Sequence, residues 1–268
     1  MSIRHVVVVI AMVMFIVMLS YAIALGVMGP IPPITIRKLP KFYLENVFNP
    51  YNRLQSSMTP EAVTAILWDY RGLDTLFEVS VFYLGVIAVV LLFRGFEVKP
   101  RRPVGLSIIT KTATKIIVFP ILVVAAAVAL HGHLTPGGGF QSGSIAAVSS
   151  AIVIVTFSLY TLVKIGVSKS KLIAIRSIGL AGIVVTALLL LIVGLITGSR
   201  AFIMQNQPKT VTPIGLPYSI LGVIVSGSCL IYNILDSIAV FAAFTLLFIL
   251  IALFEEDIVK IVEREREV

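Results

Sequence analysis

Residues 172–196 read LIAIRSIGLAGIVVTALLLLIVGLI, a stretch with one charged side chain, Arg176, near its start. As a helix rising about 1.5 Å per residue it would measure about 38 Å, enough to cross a hydrocarbon core of about 30 Å. Apolar stretches of similar length lie upstream at 142–163, 106–130, 73–93 and 6–26, and a longer block follows at 214–254. The whole chain agrees with that reading. Of its 268 residues, 58% are hydrophobic and 13% charged, and mean hydropathy is +1.06, whereas soluble domains carry about 25% charged residues. None of the stretches shows the short alternating pattern of a barrel strand. In hydrocarbon every backbone N–H and C=O must find a partner within the protein, so helices are implied. The fold class is all-α: a polytopic membrane protein of about six transmembrane helices.

Charge sets the expected orientation. With the N-terminus inside, fourteen of the 21 Lys and Arg fall on the inner side and seven on the outer, and the short connections 94–102 and 164–176 dominate the count. Because basic residues in short loops stay cytoplasmic, both termini are predicted to lie inside (N-in/C-in), and much of the net charge of +8 is an inner-leaflet signal. A nucleic-acid partner would need a basic soluble domain, and no soluble stretch is large enough for one. The single Cys229 excludes an internal disulfide and offers no cysteine pair for zinc or an iron–sulfur cluster, so no cofactor is expected. The first stretch exceeds a signal-peptide apolar core and lacks a small-residue cleavage site, so it reads as a retained helix.

The connections differ in kind. Residues 27–71 are rich in proline (Pro30, Pro32, Pro33, Pro40, Pro50, Pro60), which predicts an extended segment with one short helix. Thr59 is its expected N-cap, with Pro60 in the first helical position and Glu61 at the positive dipole end. The block 214–254 would make a helix about 60 Å long, too long for one span. Counting about 20 residues back from its end reaches Asp236, leaving 217–231 as an apolar outer or re-entrant piece in which Gly222, Ser226, Gly227 and Ser228 allow close packing. The tail from 255 to 268 reads as a solvated helix end.

Ionisable groups at membrane depth are functional candidates, because an unpaired charge there costs several kcal/mol. Asp74 and Glu78 share one face of a helix, one turn apart. Arg71 is placed to pair with Asp74, so Asp69, Arg71 and Asp74 are expected to form an interfacial network that fixes helix depth, leaving Glu78 a turn deeper without a cation. Asp236 reads equally as a helix cap or as an ion-path residue. The run His131-Gly-His133-Leu-Thr-Pro136-Gly137-Gly138-Gly139-Phe-Gln141 supplies only two imidazoles, short of the three or four ligands zinc takes, so no metal site is expected. Its glycines permit positive φ, close helix approach and an anion-favouring nest of N–H groups. Its histidines could titrate at the mouth of a proton path.

The run HGHLTPGGGFQSG followed by a span resembles the signature of the B subunit of Mrp-type multisubunit cation/proton antiporters, the MnhB family, over residues 101–268. The preceding LWDYRGLDTLFEVSVF resembles the end of the antiporters' large A subunit, which in related archaeal membrane-bound hydrogenases and sulfane reductases is a separate small subunit. The resemblance implies two fused modules: a two-helix module with a long outer loop over 1–100, and an MnhB-like four-helix module with a short charged cytoplasmic tail over 101–268. It implies a non-redox, non-catalytic subunit in the cell membrane, within a complex I-related ion-translocating assembly that exchanges Na⁺ and H⁺. Its partners would be other small Mrp-like subunits and a large antiporter-like subunit, with hydrogenase or sulfane reductase redox subunits as further partners if the parent complex is one of those. No lysine lies centrally in any span, which argues against the chain being a complete pump. A stand-alone transporter would show mirrored halves with broken helices, and a scaffold linking antiporter-like and redox modules is the other alternative.

Overall fold

The computed structural model describes residues 3–27, 35–94 and 105–266, with side chains over 5–27, 35–94 and 105–253. Pro30, Pro32, Pro33, the basic residues of 95–102 and the side chains of the 255–268 tail lie outside the described residues. By compactness the chain divides into residues 1–41 and 42–268.

In the first unit, α1 (Ile3–Ala24) has no charged residue after His5. A helix apolar on all sides is suited to hydrocarbon. In chain order there follow α2 (Lys38–Asn46), which crosses the boundary, α3 (Ala62–Ala65), a π-helical turn (Ile66–Tyr70), α4 (Gly72–Leu92), α5 (Ile108–His131), α6 (Gly139–Phe157), α7 (Leu159–Lys164) and α8 (Lys169–Thr197). A two-stranded antiparallel hairpin, β1 (Ser219–Ile220) and β2 (Val223–Ile224), precedes α9 (Ser228–Arg266). Among the described residues, six helices are long and apolar enough to cross a membrane, within α1, α4, α5, α6, α8 and α9. The chain is a multi-pass helical membrane protein, as the apolar stretches indicate.

The second unit is built around α9. Helices α6 and α8 both pack along it, α5 packs on α6, and α4 lies against α8 and α9. Small residues set these distances, since in lipid helix contact depends on close backbone approach and dispersion. A Cβ at Gly143 of α6 would stand 2.6 Å from the Ser237 carbonyl oxygen and 2.7 Å from Val240 Cβ. One at Gly179 of α8 would stand 2.9 Å from the Leu235 carbonyl oxygen and from Ala239 Cβ. Toward the far end of α9, Leu246, Ile249 and Leu250 form the largest apolar cluster with Leu159, Leu162, Leu172 and Val86.

Three boundaries differ from the sequence reading. The last helix begins eight residues before Asp236. Asn206 is the reason: its Oδ1 accepts from the Ser228 backbone N–H at 2.8 Å and from the Ser228 hydroxyl at 3.2 Å, so a distant loop supplies the cap. Asp236 is therefore a helix-interior residue, and the cap reading of it is corrected. The span expected over 142–163 is interrupted at Ser158, whose φ of +100° ends α6 and starts the short α7. Helix α3 is capped by Glu61, whose side chain accepts from the Thr64 backbone N–H. Thr59 is not the cap because it is buried two residues upstream, its hydroxyl 3.0 Å from Ser57 Oγ and 3.6 Å from Cys229 Sγ.

Gly143→Leu is expected to force α6 off α9. Overpacking of this kind costs about 1–3 kcal/mol, read as a lower melting temperature of the protein in detergent, whereas Gly85→Ala, at a site with open space around it, should leave the melt unchanged.

Candidate functional site

A cavity of about 370 Å³ opens where α4, the π turn, the glycine loop and α9 converge. It brings together residues that the sequence offered as separate candidates: Glu78 from α4, Asp236 from α9 and Gly137, Gly138 and Gly139 from the loop. Gln141, Asn233, Trp68, Thr64 and Thr75 complete its polar lining.

Local sequence explains how each group arrives. The π turn widens the helix by a residue per turn and is followed by Arg71 at φ −127°, after which α4 restarts. Thr75 bonds its hydroxyl back to the Leu67 carbonyl at 2.7 Å, tying the two segments. That geometry directs Trp68 inward, where its ring stacks on Tyr232 with centroids 4.7 Å apart and its Nε1–H donates to Asn233 Oδ1 at 3.1 Å. Gly138 adopts φ +154° and ψ 179°, a region essentially limited to glycine. Gly139 begins α6 so close to α9 that a Cβ there would be 2.6 Å from the Asn233 carbonyl oxygen and 2.6 Å from Asp236 Cβ.

Asp236 is 5% exposed and its Oδ1 has no hydrogen-bond partner. The Nδ2 of Asn233, one turn earlier, is also buried without a partner. Glu78 remains exposed on the isolated chain while it lines the same cavity. The site thus brings carboxylates from α4 and α9 to one cavity, with unmet hydrogen-bonding capacity at Asp236 and Asn233 of α9.

The remaining candidates lie elsewhere. Arg71 pairs with Asp74 on the surface, Nη2 to Oδ2 at 2.6 Å. Asp69 turns inward instead and meets Lys209 at 3.8 Å, so the expected three-residue network is two separate pairs. Burial raises the Asp69 carboxyl above its ordinary value and Lys209 partly offsets this. Burial next to Asp69 pushes the Tyr70 phenol up to about 12.

His131 ends α5, exposed, with Nδ1 3.1 Å from the Ala127 carbonyl oxygen. His133 is buried and its Nε2 donates to the Ile224 carbonyl at 3.0 Å, tying the loop to the hairpin. Its carbonyl accepts from the Glu61 N–H at 3.1 Å, and the Gly132 carbonyl accepts from the Thr64 hydroxyl at 2.6 Å. Pro136 lies in the bend just before the glycines. Among the described residues no group of three or more His, Cys, Asp or Glu is placed to hold a metal.

Sequence reasoning missed Asn233, Trp68 and Arg176. Asn233 was legible as the residue one turn before Asp236 on the same face. Arg176 was counted with the 164–176 connection, yet it sits two turns inside α8, 2% exposed, with its guanidinium 4.6 Å from the Phe82 ring centre and 5.2 Å from that of Tyr83.

A bundle of apolar helices with two carboxylates and a glycine loop lining one cavity belongs to the class of multi-pass membrane proteins. Residues 109–246, about half of the chain, match the family described as a domain related to the MnhB subunit of Na⁺/H⁺ antiporter, and the chain belongs to that family. Among solved structures it is similar to a chain of the membrane-bound sulfane sulfur reductase, an archaeal respiratory membrane complex, at 23% identity and a TM-score of 0.64, over 91% of this chain and 97% of that one. It is also similar to part of a chain in the Mrp complex from Dietzia sp. DQ12-45-1b, at 22% identity and a TM-score of 0.61, over 93% of this chain and 26% of that longer one. These likenesses establish a shared fold. No curated protein matches the sequence.

His133 offers a pH test. Burial holds its imidazole below the ordinary value near 6.5, so the folded loop favours the neutral ring; that stabilisation is present above the ordinary value and is lost as pH falls through the lowered one. Amide protection factors in the 219–225 hairpin, which correct for the intrinsic slowing of exchange in acid, should therefore fall on acidification in the wild type and lose that acid-side fall in His133→Asn, which retains a donor but does not titrate.

Proposed function

We propose that this chain is a non-redox membrane subunit of an Mrp-antiporter-like, complex I-related ion-translocating assembly in the cell membrane, and that its cavity carries part of a Na⁺- or H⁺-coupled path. The observation that carries the reading is the meeting of Glu78 and Asp236 in one cavity, where the Asp236 carboxylate has an unpartnered oxygen. Two acids at membrane depth are costly unless hydrated or used. Glu78, exposed within a span of the isolated chain, needs a neighbouring subunit or water to keep it from lipid, which favours a multisubunit setting over a stand-alone transporter. Partners of that description are other small Mrp-like subunits, a large antiporter-like subunit and, in a reductase or hydrogenase, redox subunits.

Membership of the MnhB-related family supports the antiporter-like setting, and the matched region beginning at residue 109 supports an MnhB-like module preceded by a separate one. Cytoplasmic termini, from the basic residues of the short connections, complete the reading.

Two experiments test it. Glu78→Gln keeps shape and hydrogen bonding but removes titration. In the assembled complex it should lower ion-coupled transport by about tenfold or more while assembly stays normal; normal transport would make the carboxylate structural. For orientation, Leu221 at the hairpin turn is 100% exposed and Cys229 is fully buried. A Leu221→Cys variant should be labelled by an impermeant maleimide from the outer face of the membrane, and labelling from the cytoplasmic face would reverse the topology.

A further inference from the structure

Arg176 is a buried cation without an acid. It is 2% exposed inside α8, and its guanidinium carbon stands 4.6 Å from the ring centre of Phe82 and 5.2 Å from that of Tyr83. Phe82 is the middle residue of α4, so the charge lies against the span halfway along its length. Its Nε and Nη1 have no hydrogen-bond partner, and among the described residues it forms no ion pair. A guanidinium in a protein stays charged, and two aromatic faces return only part of what its removal from water costs. Joining α4 to α8 does not require the charge. The Tyr83 hydroxyl already meets Ser177 Oγ across that contact at 3.0 Å.

Phe82 touches both the guanidinium and the cavity that Glu78 and Asp236 line. Glu78 precedes it by one turn, and Cβ atoms four residues apart on a helix are about 6 Å from each other. Allowing for the length of the phenyl ring, the charge is within about 14 Å of Glu78 Cβ. Packed side chains surround Phe82: its ring centre is 5.6 Å from that of Phe244 on α9 and 6.1 Å from that of Phe140 on α6. We propose that Arg176 is the fixed cation of the ion path, a positioning residue whose charge, uncancelled by an ion pair, acts on the cavity across Phe82 and favours release of the H⁺ or Na⁺ that Glu78 takes up. The assignment rests on the ion-path reading above. At an effective dielectric near 20, a unit charge about 14 Å away moves a titration by about one pH unit. The other groups around Glu78 are few. Asp236 of α9 lines the same cavity, Asp74 one turn earlier is held by Arg71, and Asp69 of the π turn faces Lys209. Tyr70 follows Asp69 in that turn, Tyr83 is engaged with Ser177, Lys169 and Lys171 lie at the start of α8, and α6 has no titratable residue.

Infrared titration of the purified whole complex reads this coupling without transport, through the protonated-carboxyl band that disappears in Glu78→Gln. In Arg176→Met the midpoint of that band should move up by about one pH unit, whereas Arg176→Lys, which keeps the charge, should stay close to the wild type. Ser177→Asp, made in parallel, retains Arg176 but sets a carboxylate beside it and should also move the midpoint up, so the test survives if the methionine variant does not assemble. An unmoved midpoint in assembled Arg176→Met or Ser177→Asp would overturn the proposal and leave Arg176 a clamp between α4 and α8. Equal shifts in the lysine and methionine variants, or the lack of any band lost in Glu78→Gln, would overturn it too. In proteoliposomes the pH dependence of transport should move with the band in Arg176→Met. Normal transport by Glu78→Gln defeats the ion-path reading alone, because the band still reports whether the charge reaches the cavity.

Discussion

A carboxylate in the interior of the central helix is the constraint around which the second unit is arranged. Asp236 lies eight residues inside α9 with neighbouring helices against it, and burying such a group costs several kcal/mol unless water, a proton or a partner compensates. The surrounding features answer that cost. Gly139 brings α6 against the aspartate where no larger residue fits, the glycine loop leaves room for a cavity, and the π turn sends Trp68 in to fix the Asn233 amide. Removing any one of them changes what the carboxylate faces.

The loop that carries the family's most distinctive sequence acts chiefly through its backbone. Gly132 and His133 present carbonyls to Thr64 and Glu61, and the His133 ring reaches the hairpin. The loop thereby binds three segments distant in sequence into one cap over the bundle. Its histidines do not line the cavity, so the two rings that invite a catalytic reading hold the frame, and the glycines beside them shape the site.

The spans were legible because hydrocarbon imposes one requirement on every residue of a crossing helix, and a run of apolar side chains reports it directly. The boundaries were less so. The start of α9 depends on Asn206, which no local pattern near Ser228 discloses. The break at Ser158 uses a positive φ that serine rarely adopts. Asp69 looks inseparable from Arg71 in sequence, yet the widened turn places them on different sides and gives Asp69 to Lys209. Glu78 and Asp236 were each visible as an acid in an apolar run; that they share a cavity depends on how α4 meets α9, which spacing along the chain does not encode.

The chain contains a single tryptophan, and it is the residue whose indole touches the cavity, stacks on Tyr232 and donates to Asn233. Indole emission reports the polarity and relaxation of the dipoles around it. The protein thus carries an intrinsic optical probe at its candidate site. In an assembly whose other subunits had their tryptophans replaced, the colour of Trp68 emission would follow the wetting of the cavity in real time, with no added dye and no change to the residues that line it.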